Sequence, residues 1–269
     1  MGERLIRVGV VGAMGRMGRE VLKALTPQEG FDVLVAVDHN DVGTNVRDVL
    51  GPKAPDISVE AKLGAALEKT PVDVLVDFSS GAGAATHALS AIKRGISPVI
   101  GATGMKDEDL REITLQCTEA KVPGIYAPNF AVGAVLMMRF SQMAAKYMPN
   151  AEIIEMHHDK KEDAPSGTAM LTAEMIQGGR LEAPNPKHTL HFKVEGVRGG
   201  KWQDTPIHSV RLQGLIAHQI VVFGGPGETL TIRHDSMERS SFMNGVKLCV
   251  REVKNLKGFV VGMDNVLFR

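Results

Sequence analysis

A chain of 269 residues can hold one large domain or two of medium size, and 43% apolar residues suffice for a packed core, which excludes a disordered chain. The 31 basic residues are balanced by 31 acidic ones, so no charge excess favours nucleic acid or an anionic membrane as partner. No apolar run is long enough to span a bilayer.

Residues 5–11 are a short β-branched run ending in glycine, the pattern of a buried strand. A helix is predicted from Arg16 to Leu25, with Met17, Val21, Leu22 and Leu25 on one face. Strands are predicted at 33–37, 72–78, 97–103 and 122–128, with helices over 83–94 and 107–120. Short strands that are apolar throughout and alternate with helices mean β-α-β units and a parallel sheet buried on both faces.

The second half has another pattern. A long helix is predicted at 132–147, with Val135, Leu136, Met138 and Met143 among its apolar positions. A strand over 151–158 and a helix over 166–177 follow, then strand-like runs near 188–197, 207–212, 218–224 and 228–235, separated by Gly and Pro. The stretch 240–256 again reads as helical. The expected class is α/β: a Rossmann-like, doubly wound parallel sheet over 1–129 and an α+β domain with an open mixed sheet over 130–240. A C-terminal helix over 241–269 is expected to pack back on the first domain.

"VGVVGAMGRMG" puts Gly12, Gly15 and Gly18 at a strand-to-helix turn. Glycines permit a tight turn and close backbone approach, and a helix N-terminus presents N–H groups to a pyrophosphate. The spacing is G-x-x-G-x-x-G, with Met14 at the middle position of the usual fingerprint, so a purely structural turn stays open. Asp38, 20 residues beyond Gly18 and at the end of the second strand, stands where an acid meets adenosine ribose hydroxyls. "GATG" (101–104) and "APNF" (127–130) each follow a strand of the same sheet. Ligands sit at the carboxyl ends of such strands, so both loops are expected to line the nicotinamide half of a cofactor; plain turns are the alternative.

"HHDKKEDAPSGTA" (157–169) begins with two histidines at a strand end, directed to opposite faces. They have no third ligand at a usual metal spacing, so no metal is expected. Surface residues, or an acid and a binding group, remain. Lys161 adds a compact cation, and Ser166, Gly167 and Thr168 start a helix where hydroxyl and N–H groups can hold a carboxylate. Pro165 stands where a missing N–H does no harm. Such a stretch can hold a small anion and protonate it.

Together these stretches resemble the dihydrodipicolinate reductase (4-hydroxy-tetrahydrodipicolinate reductase) family of the bacterial and plant lysine pathway. The resemblance rests on "VVGAMGRMG", "VDFSS", "GATG", "APNFAVG" and above all "HHDKKEDAPSGTA", and it spans essentially the whole chain. It implies NADH or NADPH as cofactor, a cyclic imine bearing two carboxylates as substrate, and a homotetramer built on the second domain. It implies His157 and Lys161 as catalytic residues, and His158, Ser166, Gly167, Thr168 and Arg239 as substrate contacts. It implies cofactor contacts from Gly12, Ala13, Met14, Gly15, Arg16, Met17 and Asp38, from Gly101, Ala102 and Thr103, and from Ala127, Pro128, Asn129 and Phe130. Many members carry a basic residue directly after the acid that ends the second strand. Here His39 and Asn40 follow, which leaves NADH against NADPH open; Arg16 and Arg19 are the cations that could offset Asp38 beside a 2′-phosphate.

The competing readings are another two-domain Rossmann dehydrogenase, of aspartate or sugar type, and a non-enzymatic dinucleotide sensor. A sensor would not need the histidine and lysine. Cys117 and Cys249 are far apart and in no C-x-x-C spacing, and the chain enters "LIRVGVVG" without a leader pattern, so a reducing, cytoplasmic setting is expected.

Overall fold

The computed structural model describes residues 4–184 and 191–269. They form two compact units, one running to Phe130 and including Phe242–Arg269, the other Ala131–Ser241. Along the first unit run β1 (Ile6–Val11), α1 (Arg16–Ala24), β2 (Phe31–Val37), α2 (Val46–Leu50), β3 (Val59–Glu60), α3 (Leu63–Lys69), β4 (Val74–Asp77), α4 (Gly81–Ile92), β5 (Ser97–Ile100), α5 (Asp107–Ala120) and β6 (Gly124–Tyr126). The second unit holds α6 (Val132–Ala145), β7 (Asn150–His157), α7 (Gly167–Gly179), β8 (Gly200–Trp202), β9 (Thr205–Arg211), β10 (Ala217–Gly225) and β11 (Glu228–Ser236). The chain then returns to the first unit with α8 (Met243–Glu252), β12 (Phe259–Val261) and α9 (Asp264–Leu267).

The first sheet has the order β12-β6-β5-β4-β1-β2-β3, and every neighbouring pair is parallel. Val8, Val10, Val74, Val76 and Val99 are fully buried. Helices on both faces exclude water from these strands, which is why their sequences are apolar without alternation. From β1 the chain winds outward through β2 and β3, then starts again at β4 and winds the other way. The resulting switch point between β1 and β4 is where doubly wound sheets open a ligand crevice at their carboxyl edge. The strands predicted at 97–103 and 122–128 stop at Ile100 and Tyr126. That leaves "GATG" and "APNF" as loops beyond the carboxyl ends.

The second sheet is mixed, in the order β11-β10-β7-β9-β8, with β7 and β9 parallel and the other pairs antiparallel. One face carries Ala151, Ile153, Val221 and Phe223, all buried, and meets α6 and α7. The opposite face, with Ile154, Met156, Ile220 and Val222, is half-buried. A single row crosses this sheet: Arg211 pairs with His157, His157 with Ala217, and Ala217 with Ser236. It sets the level of the candidate site.

Two expectations need correction. The run near 188–197 is not a strand over 191–197, and its first residues, 188–190, lie outside the described ones. Phe192 and Val194 alternate suitably but are 59% and 64% exposed. An alternating pattern makes a strand only where a neighbour takes its hydrogen bonds and a core takes its apolar face; the paired strand begins at Gly200 instead. The segment 241–269 is not one helix. After α8 it turns at Gly258 and Gly262, both at positive φ, around β12, which extends the parallel sheet beside β6. The α8 helix lies close against Phe130: a Cβ on Gly245 would stand 2.0 Å from the Phe130 carbonyl oxygen.

Candidate functional site

Two groups of side chains lie at sheet ends, one in each unit. In the first unit the turn from β1 to α1 is tied down by its own backbone. Gly12 and Ala13 donate to the Val37 carbonyl at 3.0 and 3.2 Å, and Gly15 donates to Gly12 at 3.1 Å. Gly12 has φ +70°, and a Cβ there would stand 2.8 Å from the Phe78 backbone. The N-cap Gly15 supplies no side-chain cap, so the first N–H groups of α1 face outward without an intrahelical partner. These features fit a pyrophosphate.

Asp38 is 6% exposed. One of its oxygens accepts from the Met14 N–H at 2.8 Å and the other from the Asn40 N–H at 2.9 Å. The carboxylate therefore shapes the glycine turn itself, and His39 Nδ1 also lies 3.3 Å from it. Arg19 is committed: its Nε donates to the Met14 carbonyl at 2.8 Å and its Nη2 lies 3.4 Å from Asp41. Arg16 is exposed.

Phe78, at the end of β4, joins the other loops. A Cβ on Gly101 would stand 2.2 Å from the Phe78 ring, and that ring lies 5.5 Å from the Phe130 ring. Ala13, Met14, Ala102, Ala127 and Phe130 are buried, whereas Gly15, Thr103 and Pro128 are exposed at the edge; Met17, Gly101 and Asn129 are half-buried. Sequence reasoning did not single out Phe78, nor the pair Asp77 and His87. Asp77, also buried, accepts from Ser79 N–H at 2.8 Å and lies 2.8 Å from His87 Nδ1.

In the second unit His157 ends β7 on the helix-covered face, with its side chain 15% exposed. Its Nδ1 is hydrogen-bonded to the Glu155 carboxylate. Glu155, two residues back and on the same face, is fully buried. Arg211 grips it with both ends of its fork, Nη2 to Oε1 at 2.8 Å and Nη1 to Oε2 at 3.0 Å. Burial alone would raise the Glu155 carboxyl, but hydrogen bonds from His157, Arg211 and Ser209 outweigh it and hold the group at about 2.

Beyond His157 the chain makes a tight turn, with Lys161 N–H on the His158 carbonyl at 3.2 Å. Lys161 Nζ lies 2.6 Å from Asp163 Oδ1 and keeps that carboxyl below its usual range. The Ala164–Pro165 bond is cis. Ser166 is the buried N-cap of α7, its hydroxyl accepting from Ala169 N–H at 3.2 Å. Its hydroxyl is thus used within the helix start, and Gly167 is the exposed first residue of that helix. His158 is half-buried, and Arg239 is exposed three residues beyond Ser236, the end of the row that contains His157. The structure therefore gathers His157, Lys161 and the α7 start in one loop. Glu155 and Arg211 are the partners that sequence reasoning missed. Among the described residues no group of three His, Cys, Asp or Glu side chains could hold a metal ion.

Comparison with known proteins gives a consistent result over the whole chain. The family model described as dihydrodipicolinate reductase, N-terminus, matches residues 6–130, and that described as dihydrodipicolinate reductase, C-terminus, matches 133–267. A 4-hydroxy-tetrahydrodipicolinate reductase of Syntrophomonas wolfei is 48% identical over 97% of this chain and 98% of its own. The structure of a dipicolinate-bound dihydrodipicolinate reductase from Paenisporosarcina sp. superposes with TM-score 0.87 at 40% identity, covering 97% of this chain and 99% of that one. A myo-inositol 2-dehydrogenase from Lactobacillus plantarum, at 11% identity, TM-score 0.63 and coverage of 98% and 94%, shares the fold alone.

The depressed Glu155 carboxyl has a consequence for stability. Its folded value of about 2 lies below the ordinary 4.5, so Glu155 stabilises the second unit above about pH 4.5. That contribution fades as pH falls from about 4.5 to about 2. Trp202, the single tryptophan, lies in β8 of this unit. Urea midpoints followed by its fluorescence should fall over this pH range more steeply in the wild type than in Glu155→Gln. Equal slopes would contradict the assignment.

Proposed function

From the premise that the chain belongs to the dihydrodipicolinate reductase family, we propose that His157 and Lys161 carry its chemistry and that the glycine turn holds its cofactor. The protein is an NAD(P)H-dependent oxidoreductase of lysine and diaminopimelate biosynthesis, reducing 4-hydroxy-tetrahydrodipicolinate to tetrahydrodipicolinate. A nicotinamide cofactor held by the first unit would supply the hydride. Gly12 to Met17 would hold the pyrophosphate, Asp38 the adenosine ribose, and the 101–103 and 127–130 loops the nicotinamide end.

The observation that carries the residue assignment is the His157 imidazole, bonded to a buried carboxylate through Nδ1 and left with Nε2 for a ligand. Loss of the 4-hydroxyl as water gives a conjugated imine; hydride addition to its carbon 4 leaves an enamine, and a proton on the adjacent carbon completes the reduction. An imidazole is suited to giving that proton at neutral pH. Lys161 would meet negative charge on the substrate, exchanging Asp163 for a carboxylate. Thr168 and the Gly167 N–H would hold a carboxylate at the α7 start, where the helix field favours an anion, with His158 and Arg239 as further contacts. His157→Gln should lower kcat by about 10²–10⁴-fold with NADH affinity unchanged. Thr168→Val should weaken pyridine-2,6-dicarboxylate competition about tenfold, since charged hydrogen bonds contribute roughly 1.5–3 kcal/mol. Full kcat in the first variant and unchanged inhibition in the second would reject these roles.

Asp38 favours a free 2′-hydroxyl, and Arg19 is already engaged with Met14 and Asp41. We therefore expect both cofactors to work, with kcat/KM for NADH at least equal to that for NADPH. A strong NADPH preference in steady-state kinetics would show that Arg16 and Arg19 dominate.

We also propose a homotetramer in the cytoplasm. No described helix is long and apolar enough to cross a membrane, and two buried free thiols suit a reducing compartment. The half-buried sheet face with Ile154, Ile220 and Val222 supports self-association. Ile220→Asp should lower the mass measured by light scattering; an unchanged mass would place the interface elsewhere.

A further inference from the structure

A carboxylate with no exposed surface is costly to bury unless its oxygens are satisfied and its charge is balanced. Glu155 meets both conditions through two neighbours, one of which is the proposed proton donor. Its Oε2 faces His157 Nδ1, and the Arg211 fork spans both oxygens. The sheet dictates this meeting. His157 and Glu155 share a face of β7, and in the parallel pairing Arg211 lies beside His157 while Ser209 lies beside Glu155. Arg211 has a second attachment: Nη2 also donates to the Asp163 carbonyl at 2.7 Å. Asp163 is the residue whose side chain holds Lys161.

Resting on the reading of His157 as proton donor, we propose that Glu155 is a positioning residue that holds the imidazole as its Nδ1–H tautomer, and that Arg211 braces both Glu155 and the Lys161 loop. A neutral imidazole has one N–H. Because the ionised Glu155 can only accept, that N–H lies on Nδ1, and Nε2 is the atom that binds and delivers the transferred proton. The same carboxylate keeps the plane of the ring fixed as the proton is passed from Nε2. The arrangement has the logic of an aspartate behind a catalytic histidine, where the acid orients the ring and is not itself protonated. Arg211 prevents Glu155 from turning away, and its bond to Asp163 keeps the Lys161 turn in register with β7.

A plain structural role would be a buried ion pair clamping β7 to β9. The two roles differ in what a neutral isostere does. In Glu155→Gln the amide oxygen can serve Arg211 or His157, but not both as well as a carboxylate does. Turned toward Arg211, it points its NH₂ at His157 and favours the opposite tautomer.

The test uses the full-length protein with four measurements: kcat, substrate KM, urea midpoint, and the neutral His157 tautomer by ¹⁵N NMR, assigned with His157→Gln. Glu155→Gln is expected to fold, lose about 10²-fold or more in kcat, keep KM within about threefold, and shift His157 away from Nδ1–H. Arg211→Lys keeps a cation but loses the fork, so KM is expected to rise as the Lys161 loop loosens. If Glu155→Gln keeps kcat within about twofold while His157→Gln is inactive, the positioning role is overturned and the proton-donor reading stands. If His157→Gln is itself active, that reading fails first. Should Glu155→Gln not fold, the wild-type spectrum decides: an Nε2–H tautomer overturns the proposal, and Nδ1–H with raised KM in Arg211→Lys supports it.

Discussion

The second unit is organised by one electrostatic requirement, the compensation of a fully buried carboxylate. Glu155 occupies a position on β7 that an apolar residue would normally fill, between Ile153 and the strand end. Its charge can be tolerated only with a cation and donors in fixed places. Those places are supplied by β9, and they exist only in the observed register, with Ser209 beside Glu155 and Arg211 beside His157. A slip of one residue would turn Arg211 to the opposite face and leave the carboxylate unpaired. The register, the side chain of His157 and the path of the loop through Asp163 therefore depend on the same ion pair.

This dependence also explains what could be read in the sequence. The parallel strands of the first unit were legible because burial on both faces writes itself as uninterrupted Val and Ile, as in "VGVV" and "VLVAV". The helices at 107–120 and 132–147 were legible from their apolar period. The short α2, β3 and α3 carried too few periods to be recognised. The run at 191–197 misled because alternation reports a face that could be buried, not a partner that is present. Residues 259–261 were hidden behind a helical pattern that ends at Glu252, and only the glycines at 258 and 262 mark the change.

The candidate site divides in the same way. His157, Lys161 and the Ser166 start were legible because they lie within one stretch of chain. Arg211 is 56 residues from Glu155, and Glu155 looks in the sequence like any acid alternating along a strand. Nothing local distinguishes it from Glu152, which belongs to the opposite face and pairs with Arg198 and His208. Only the register separates the two glutamates.

A related economy appears in the first unit. Asp38 was expected to face the cofactor, yet it first serves the protein, accepting from Met14 and Asn40 backbone N–H groups. Met14 stands where the usual fingerprint has its middle glycine, and its N–H is the donor that closes the turn onto Asp38. The acid therefore holds the glycine turn in place, and the turn in turn fixes the position of the acid. Replacing Asp38 to admit a 2′-phosphate would relax the turn at the same time. On the proposed reading of Asp38, cofactor choice and cofactor affinity would be coupled through these two hydrogen bonds.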